Sequence, residues 1–179
     1  MHVRSYPGAP RGGDVGVIVL DECGALAALV DATGHGLTAY AVAQAARKIL
    51  LQTSSREPDV VLQELDATLA GSIGAAISVA HVRPHELAFS GVGNVSASIG
   101  LRPMLVRPGV VGRRMRKPAV ARMAFEPNTW LLMHTDGVSR PDTIPAGDAE
   151  TAARALVEAK GSHHDDAGVL LLRWRERRP

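Results

Sequence analysis

Residues 15–20 (VGVIVL) and 25–30 (ALAALV) are unbroken apolar runs separated only by Asp21-Glu22-Cys23-Gly24. Runs with no polar alternation are buried on both faces, and a short spacer ending in glycine joins neighbours as a tight hairpin. The chain therefore opens with an antiparallel strand pair that the rest of the sequence has to cover. Residues 37–51 (LTAYAVAQAARKILL) are rich in helix formers, and a second helix from Pro58 has apolar residues at 61, 62, 65 and 69, with proline suited to its first turn. Gly71 and Gly74 bracket its end.

The segments 75–82, 86–91, 94–101 and 104–107 are punctuated by Arg-Pro-His, Gly-Val-Gly and Arg-Pro, which predicts an antiparallel meander. Residues 129–135 predict a strand, 148–160 a helix begun by Asp148 and closed by Gly161, and 167–174 a final strand. Segregated antiparallel strands covered by helices describe an α+β layered sandwich, not a parallel βαβ sheet.

Of the 179 residues, 46% are hydrophobic and 3% aromatic, a balance that reads as one domain spanning 1–179. A chain of this length buries roughly 70% of the surface its unfolded form exposes, enough for a core without disulfides. Cys23 is the only cysteine, which excludes an intramolecular disulfide and a cysteine-rich zinc site and suits a reducing, cytoplasmic setting. No apolar run approaches the roughly 18 residues of a membrane span, and the N-terminus lacks a signal-peptide core. The net charge of +2 gives no general reason to expect nucleic acid. Seven lysines and arginines and no acid fall between Arg102 and Arg122, and Arg173, Arg175, Arg177 and Arg178 make a basic tail. Both stretches read as solvated loop or chain end.

The aspartates carry the functional signal. Asp14 opens the first strand, Asp31 closes the second, Asp136 closes 129–135, and Asp165-Asp166 precedes the last. The turn pair Asp21 and Gly24 sets the hairpin register, and counting outward equally on both strands places Asp14 opposite Asp31. If 129–135 and 167–174 are antiparallel neighbours, Asp136 meets Asp165 and Asp166. Carboxylates gathered this way repel and raise one another's pKa unless a cation neutralises them. All-oxygen ligation suits magnesium or manganese, and two such ions about 3.5 to 4 Å apart can share a hydroxide and polarise a phosphoryl oxygen. Asp31-Ala32-Thr33-Gly34-His35-Gly36 links strand to helix, where glycines admit a ligand and a helix N-terminus favours anions. Gly91-Val92-Gly93-Asn94 reads as a structural strand connection.

Gly13-Asp14, Asp31-Ala32-Thr33-Gly34-His35-Gly36, Gly93-Asn94, Asp136-Gly137 and Asp165-Asp166, in this order and spacing, resemble the motifs of metal-dependent serine/threonine phosphatases of the protein phosphatase 2C type, in particular the bacterial stress-response branch. The resemblance spans nearly the whole chain. It implies a four-layer α-β-β-α sandwich of two packed antiparallel sheets flanked by helices, binding two or more Mn2+ or Mg2+ ions. It implies that Asp31 bridges both metals, that the Ala32 backbone carbonyl ligates one, and that Asp136 and Asp165 hold the other. Asp166 is the alternative to Asp165, and Asp14 acts directly or through water. A bridging hydroxide would attack phosphorus with no phosphoenzyme.

Animal relatives often carry a histidine two residues after the bridging aspartate, where this chain has Thr33. His35 is then the candidate for protonating the leaving serine oxygen, its other reading being a capping or packing residue. Arg11 is the candidate counterpart of the family's phosphate-binding arginine, and His163 and His164 read as surface residues. The first motif at residue 14 leaves no room before it for a sensor domain, and the stretch 107–128 is too short for a large flap. The resemblance thus points to a monomeric stressosome feedback phosphatase acting on phosphorylated STAS-domain proteins. Alternatives are phosphatase action on an anti-anti-sigma factor, or a degenerate module that holds a phosphoprotein without hydrolysing it.

Overall fold

The computed structural model describes residues 1–5, 11–22 and 24–175. Cys23 in the predicted turn and Arg177 and Arg178 of the basic tail lie outside them. In chain order the elements are β1 (His2–Arg4), β2 (Asp14–Asp21), β3 (Gly24–Ala32), α1 (Gly36–Gln52), α2 (Pro58–Leu69), β4 (Ala75–Arg83), β5 (His85–Val92), β6 (Ser96–Ile99), β7 (Arg102–Pro103), β8 (Ala121–Phe125), β9 (Leu131–His134), α3 (Ala149–Lys160) and β10 (Ala167–Leu172). They build two five-stranded antiparallel sheets, ordered β2-β3-β4-β5-β8 and β1-β10-β9-β6-β7.

Three apolar layers explain why β3 reads as a continuous hydrophobic run, whereas the run in β2, expected to be buried on both faces, lies at the sheet edge and leaves Ile18 and Leu20 exposed. Along β3, Leu26, Ala28 and Val30 pack with Ala39, Val42 and Leu62 under α1 and α2. The intervening Ala27 and Leu29 pack with Phe89, Met133 and Leu170 between the sheets. A third cluster joins Leu132, Val169 and Leu171 to Ala153, Leu156 and Val157 of α3. Both faces of each central strand are thus buried, and the result is the α-β-β-α sandwich. Helix boundaries follow local chemistry: Pro58 opens α2, and Asp148 caps α3 by accepting a hydrogen bond from the Thr151 N–H at 2.8 Å.

The meander expected over 75–107 is not one sheet. Strands β4 and β5 form a hairpin in one sheet, whereas β6 pairs with β7 and β9 in the other. The chain changes sheets at Gly93, whose φ of +103° and whose absent Cβ, which would lie 2.4 Å from that of Ala76, both require glycine. The expected strand at 104–107 is replaced by the two-residue β7. Two strands were not anticipated. β1 is too short to show periodicity, and β8 is an edge strand with Met123 and Phe125 turned to the core, so the end of the basic segment is sheet, not solvated loop.

Gly137 follows the aspartate that closes the β9 segment, and a Cβ there would stand 1.8 Å from the Asp166 carbonyl oxygen. Gly137→Ala is therefore expected to destabilise the protein by about 1–3 kcal/mol through overpacking against backbone, read as a lower urea midpoint at unchanged slope.

Candidate active site at the strand ends

The β2–β3 register pairs Asp14 with Asp31, as counting outward from the turn predicts, and β9 and β10 are antiparallel neighbours, the condition on which the meeting of Asp136 with the Asp165-Asp166 tandem depended. Residues opposite one another share a face, so both aspartates turn toward the second sheet. There the hydroxyl of Thr135, just beyond β9, donates to Asp14 Oδ2 at 2.7 Å and accepts the Gly168 N–H at 2.9 Å. Asp14 is buried behind this contact and does not line the adjoining cavity. Thr135→Val keeps the shape but leaves a buried carboxyl and a buried N–H unpaired. It is expected to cost about 1–3 kcal/mol in denaturant-measured stability.

The tandem Asp165-Asp166 divides its work. Asp166 is buried and accepts the Gly13 N–H at 2.5 Å, so it ties the segment before β2 to the segment before β10. Asp165 instead faces a cavity of about 800 Å³, which Asp31 and Asp136 also line. Asp136 is held by Asn94, whose side-chain amide donates to Asp136 Oδ2 at 2.6 Å. The strand change at Gly93-Asn94 is therefore structural and also delivers a polar group to the cavity. Neither Asn94 as a partner of Asp136 nor Thr135 as a partner of Asp14 was read from the sequence. The only signals were an asparagine at a strand change and a hydroxyl next to an aspartate.

Other candidates fall differently. His35 occupies the N-cap position of α1 without a side-chain capping bond, and it lines the cavity. His164, expected at the surface, is exposed and also lines it; His163 is exposed and does not. Arg11 is not brought to the cavity: its guanidinium stands over the Tyr40 ring of α1, 4.7 Å from the centroid. That cation–π contact accounts for its placement on the helix. The Ala32 amide donates to the Gly13 carbonyl at 3.1 Å, fixing the backbone beside Asp31.

Electrostatics sets this region apart. Burial, and then the charge of Asp31, push the Asp14 carboxyl well above the usual carboxylate range. Burial, followed by the charges of Asp136 and Asp165, raises Asp31 to about 7. Asp165 is also raised, chiefly by burial. Among the described residues no lysine or arginine is paired with Asp14, Asp31, Asp136 or Asp165. The same residues include no group of three or more His, Cys, Asp or Glu side chains already assembled as a metal cage. The donor set still suits a hard divalent cation, because magnesium keeps several waters and is held through one or two carboxylates, not by an all-protein cage.

Two packed antiparallel sheets between helical layers make an α+β sandwich that matches the fold of PP2C-type phosphatases. Compared by sequence, the chain matches no protein-family model and no curated protein. Compared by structure, it superposes on a chain from the bacterial stressosome, a modular system adapted to control secondary messenger signalling, with a TM-score of 0.84, 22% identity and 96% of each chain covered. It superposes on RsbX in complex with magnesium with a TM-score of 0.83 at 19% identity, covering 95% of this chain and 91% of that one. For the serine/threonine phosphatase PstP/Ppp of Mycobacterium tuberculosis the values are 0.75 and 14%, with 98% of each chain covered. At these identities the likeness establishes the fold.

Proposed function

We propose that this chain is a manganese- or magnesium-dependent phosphoprotein phosphatase that hydrolyses phosphoserine or phosphothreonine on a stress-signalling partner bearing a STAS domain. The observation that carries the reading is the convergence of Asp31, Asp136 and Asp165 on one cavity, with no lysine or arginine paired to them among the described residues. The superposition on RsbX and on a stressosome chain supports the choice of pathway.

Asp31, the Ala32 carbonyl, Asp136 and Asp165 would hold the divalent ions, with Asp14 behind them. Bound there, such ions activate water and neutralise charge developing on the phosphoryl oxygens. The protein's own groups do the rest. Asn94 fixes the carboxylate of Asp136, and Thr135 fixes that of Asp14. The open cavity admits a phosphorylated side chain from a folded partner. Hydrolysis forms one oxygen–phosphorus bond and breaks the bond to the serine or threonine oxygen, which must gain a proton. His35, which lines the cavity, would supply it. We assign the whole of 1–179 to a single catalytic domain, monomeric and cytoplasmic. Among the described residues no helix is long and apolar enough to cross a membrane.

Phosphate release from para-nitrophenyl phosphate and from a phosphorylated STAS-domain protein, measured against manganese concentration, tests the reading. Saturable release abolished by EDTA is expected. Tight binding of the phosphoprotein without release in saturating manganese would instead identify a non-catalytic binding module. Faster release from an anti-anti-sigma factor would reassign the substrate.

A further inference from the structure

We infer that the turn at residues 109–117 is a docking surface for acidic residues flanking the phosphorylated site of a protein substrate, an inference that rests on the phosphatase reading above. Pro108, Gly109 and Val110 form one wall of the acidic cavity. From that wall the chain folds back tightly: the Arg114 N–H donates to the Val110 carbonyl at 2.9 Å, and the Arg113 N–H to the same oxygen at 3.2 Å. Gly109 has a φ of +152°, and a Cβ on it would lie 2.9 Å from the Arg114 carbonyl, so Arg114 is carried directly behind the cavity wall.

The turn is anchored, not loose. Val111 and Ala75 exchange both backbone hydrogen bonds, at 2.9 and 3.1 Å, and Asp66 of α2 accepts the Gly112 N–H at 2.6 Å. A Cβ on Gly112 would lie 2.6 Å from the Leu69 carbonyl, which fixes the turn against α2. From this support Arg113, Arg114, Arg116 and Lys117 project into solvent. Among the described residues none of these four side chains has an acidic partner, whereas Arg122 at the end of the same segment is paired with Glu57 and Glu86. Arg113 also lines a second cavity, of about 490 Å³, beside Thr38, Val42, Leu69 and Ile73. A cationic ridge thus runs from the rim of the candidate active site onto the helical face.

Four cations with no acidic partner among the described residues, beside a carboxylate-lined cavity, separate two recognition tasks. Acidic side chains of the partner meet the ridge, and the phosphorylated residue enters the cavity. Complementary charge of this kind steers encounter and selects partners. A nucleic-acid surface fits less well, because binding of single strands relies on aromatic stacking platforms, and Phe89 and Phe125 are buried while Trp130 stacks with Arg173.

The test uses two phosphothreonine peptides of identical core, one flanked by glutamates and one by lysines, with Arg113→Glu/Arg114→Glu/Arg116→Glu and the matching triple glutamine variant. In manganese, kcat/KM for the glutamate-flanked peptide is expected to fall about ten-fold or more on charge reversal, with the glutamine variant intermediate and the loss shrinking in high salt. The lysine-flanked peptide should be turned over faster. An unchanged ratio between the two peptides in both variants would overturn the inference. Fluorescence anisotropy with the labelled glutamate-flanked phosphopeptide and a labelled single-stranded RNA decides the matter independently of turnover. If the parent hydrolyses neither peptide, binding of the acidic peptide that is lost on reversal supports docking by itself, and the phosphatase reading is decided on the phosphorylated STAS-domain protein. No binding of that peptide, or tighter binding of the RNA lost on reversal, overturns it.

Discussion

Asp31→Asn is expected to lower manganese-dependent phosphate release by about 10²–10³-fold, the loss seen when one preorganised electrostatic group is removed from a site of this kind. Asp31 is the cavity carboxylate closest to the buried interior, and both Asp136 and Asp165 act on it electrostatically. Asp136→Asn should follow closely. Asp14→Asn should cost less, about 10- to 100-fold, because Asp14 sits behind the cavity and supports it through Thr135. The measurement is kcat/KM on one phosphopeptide across a manganese titration. An Asp31→Asn variant that retained parental turnover at saturating metal would remove this residue from the proposed mechanism.

The same substitution is expected to stabilise the protein when divalent metal is withheld. In the fold the Asp31 carboxyl is raised from its ordinary 3.8 to about 7, first by burial and then by Asp136 and Asp165. Between about pH 4 and pH 7 the folded chain therefore keeps a proton that the unfolded chain has released. Stability falls as pH rises through that window and stays low above it. The difference between 3.8 and about 7 is worth at most about 4 kcal/mol, which relaxation of the partly open site reduces. Asparagine carries no such penalty. In EDTA at pH 8 the Asp31→Asn protein should melt about 3–10 °C above the parent, and near pH 4 the two should coincide. Saturating manganese should reverse the order by stabilising the parent, by about 4.1 kcal/mol at a thousand times its dissociation constant. A variant less stable than the parent at pH 8 in EDTA would show that the Asp31 carboxylate makes a favourable structural contact, and would sink the account of a site held open against its own repulsion.

Opposite effects of one residue on activity and on stability distinguish a functional cluster from acidic groups that happen to lie close together. Asp148 shows the contrast. It is exposed, and its hydrogen bonds at the N-terminus of α3 lower its pKa, so the fold favours its charge. Asp14 and Asp31 are arranged so that the fold alone opposes theirs.

The sequence by itself determined the local geometry. Once Asp21 and Gly24 define a hairpin turn, the fixed two-residue period of a strand pair leaves Asp14 only Asp31 to face, and the observed register agrees. The uninterrupted apolar run of residues 25–30 likewise required cover on both faces, which the two sides of β3 receive from different layers, whereas the similar run in β2 lies at a sheet edge with Ile18 and Leu20 exposed. The tertiary structure decided what depends on contacts between distant segments. Adjacent Asp165 and Asp166 are equivalent as letters, but only Asp166 meets the Gly13 amide, which leaves Asp165 to the cavity. Local punctuation made 75–107 look like one meander, whereas the pairing of β6 with β9 moves the chain to the opposite sheet and carries Asn94 to Asp136. Arg11 had a charge suited to phosphate, and the ring of Tyr40 drew it to α1 instead. Register propagates along a strand by counting, but which strand neighbours which, and where a side chain finds its partner, is set by packing that no local pattern records.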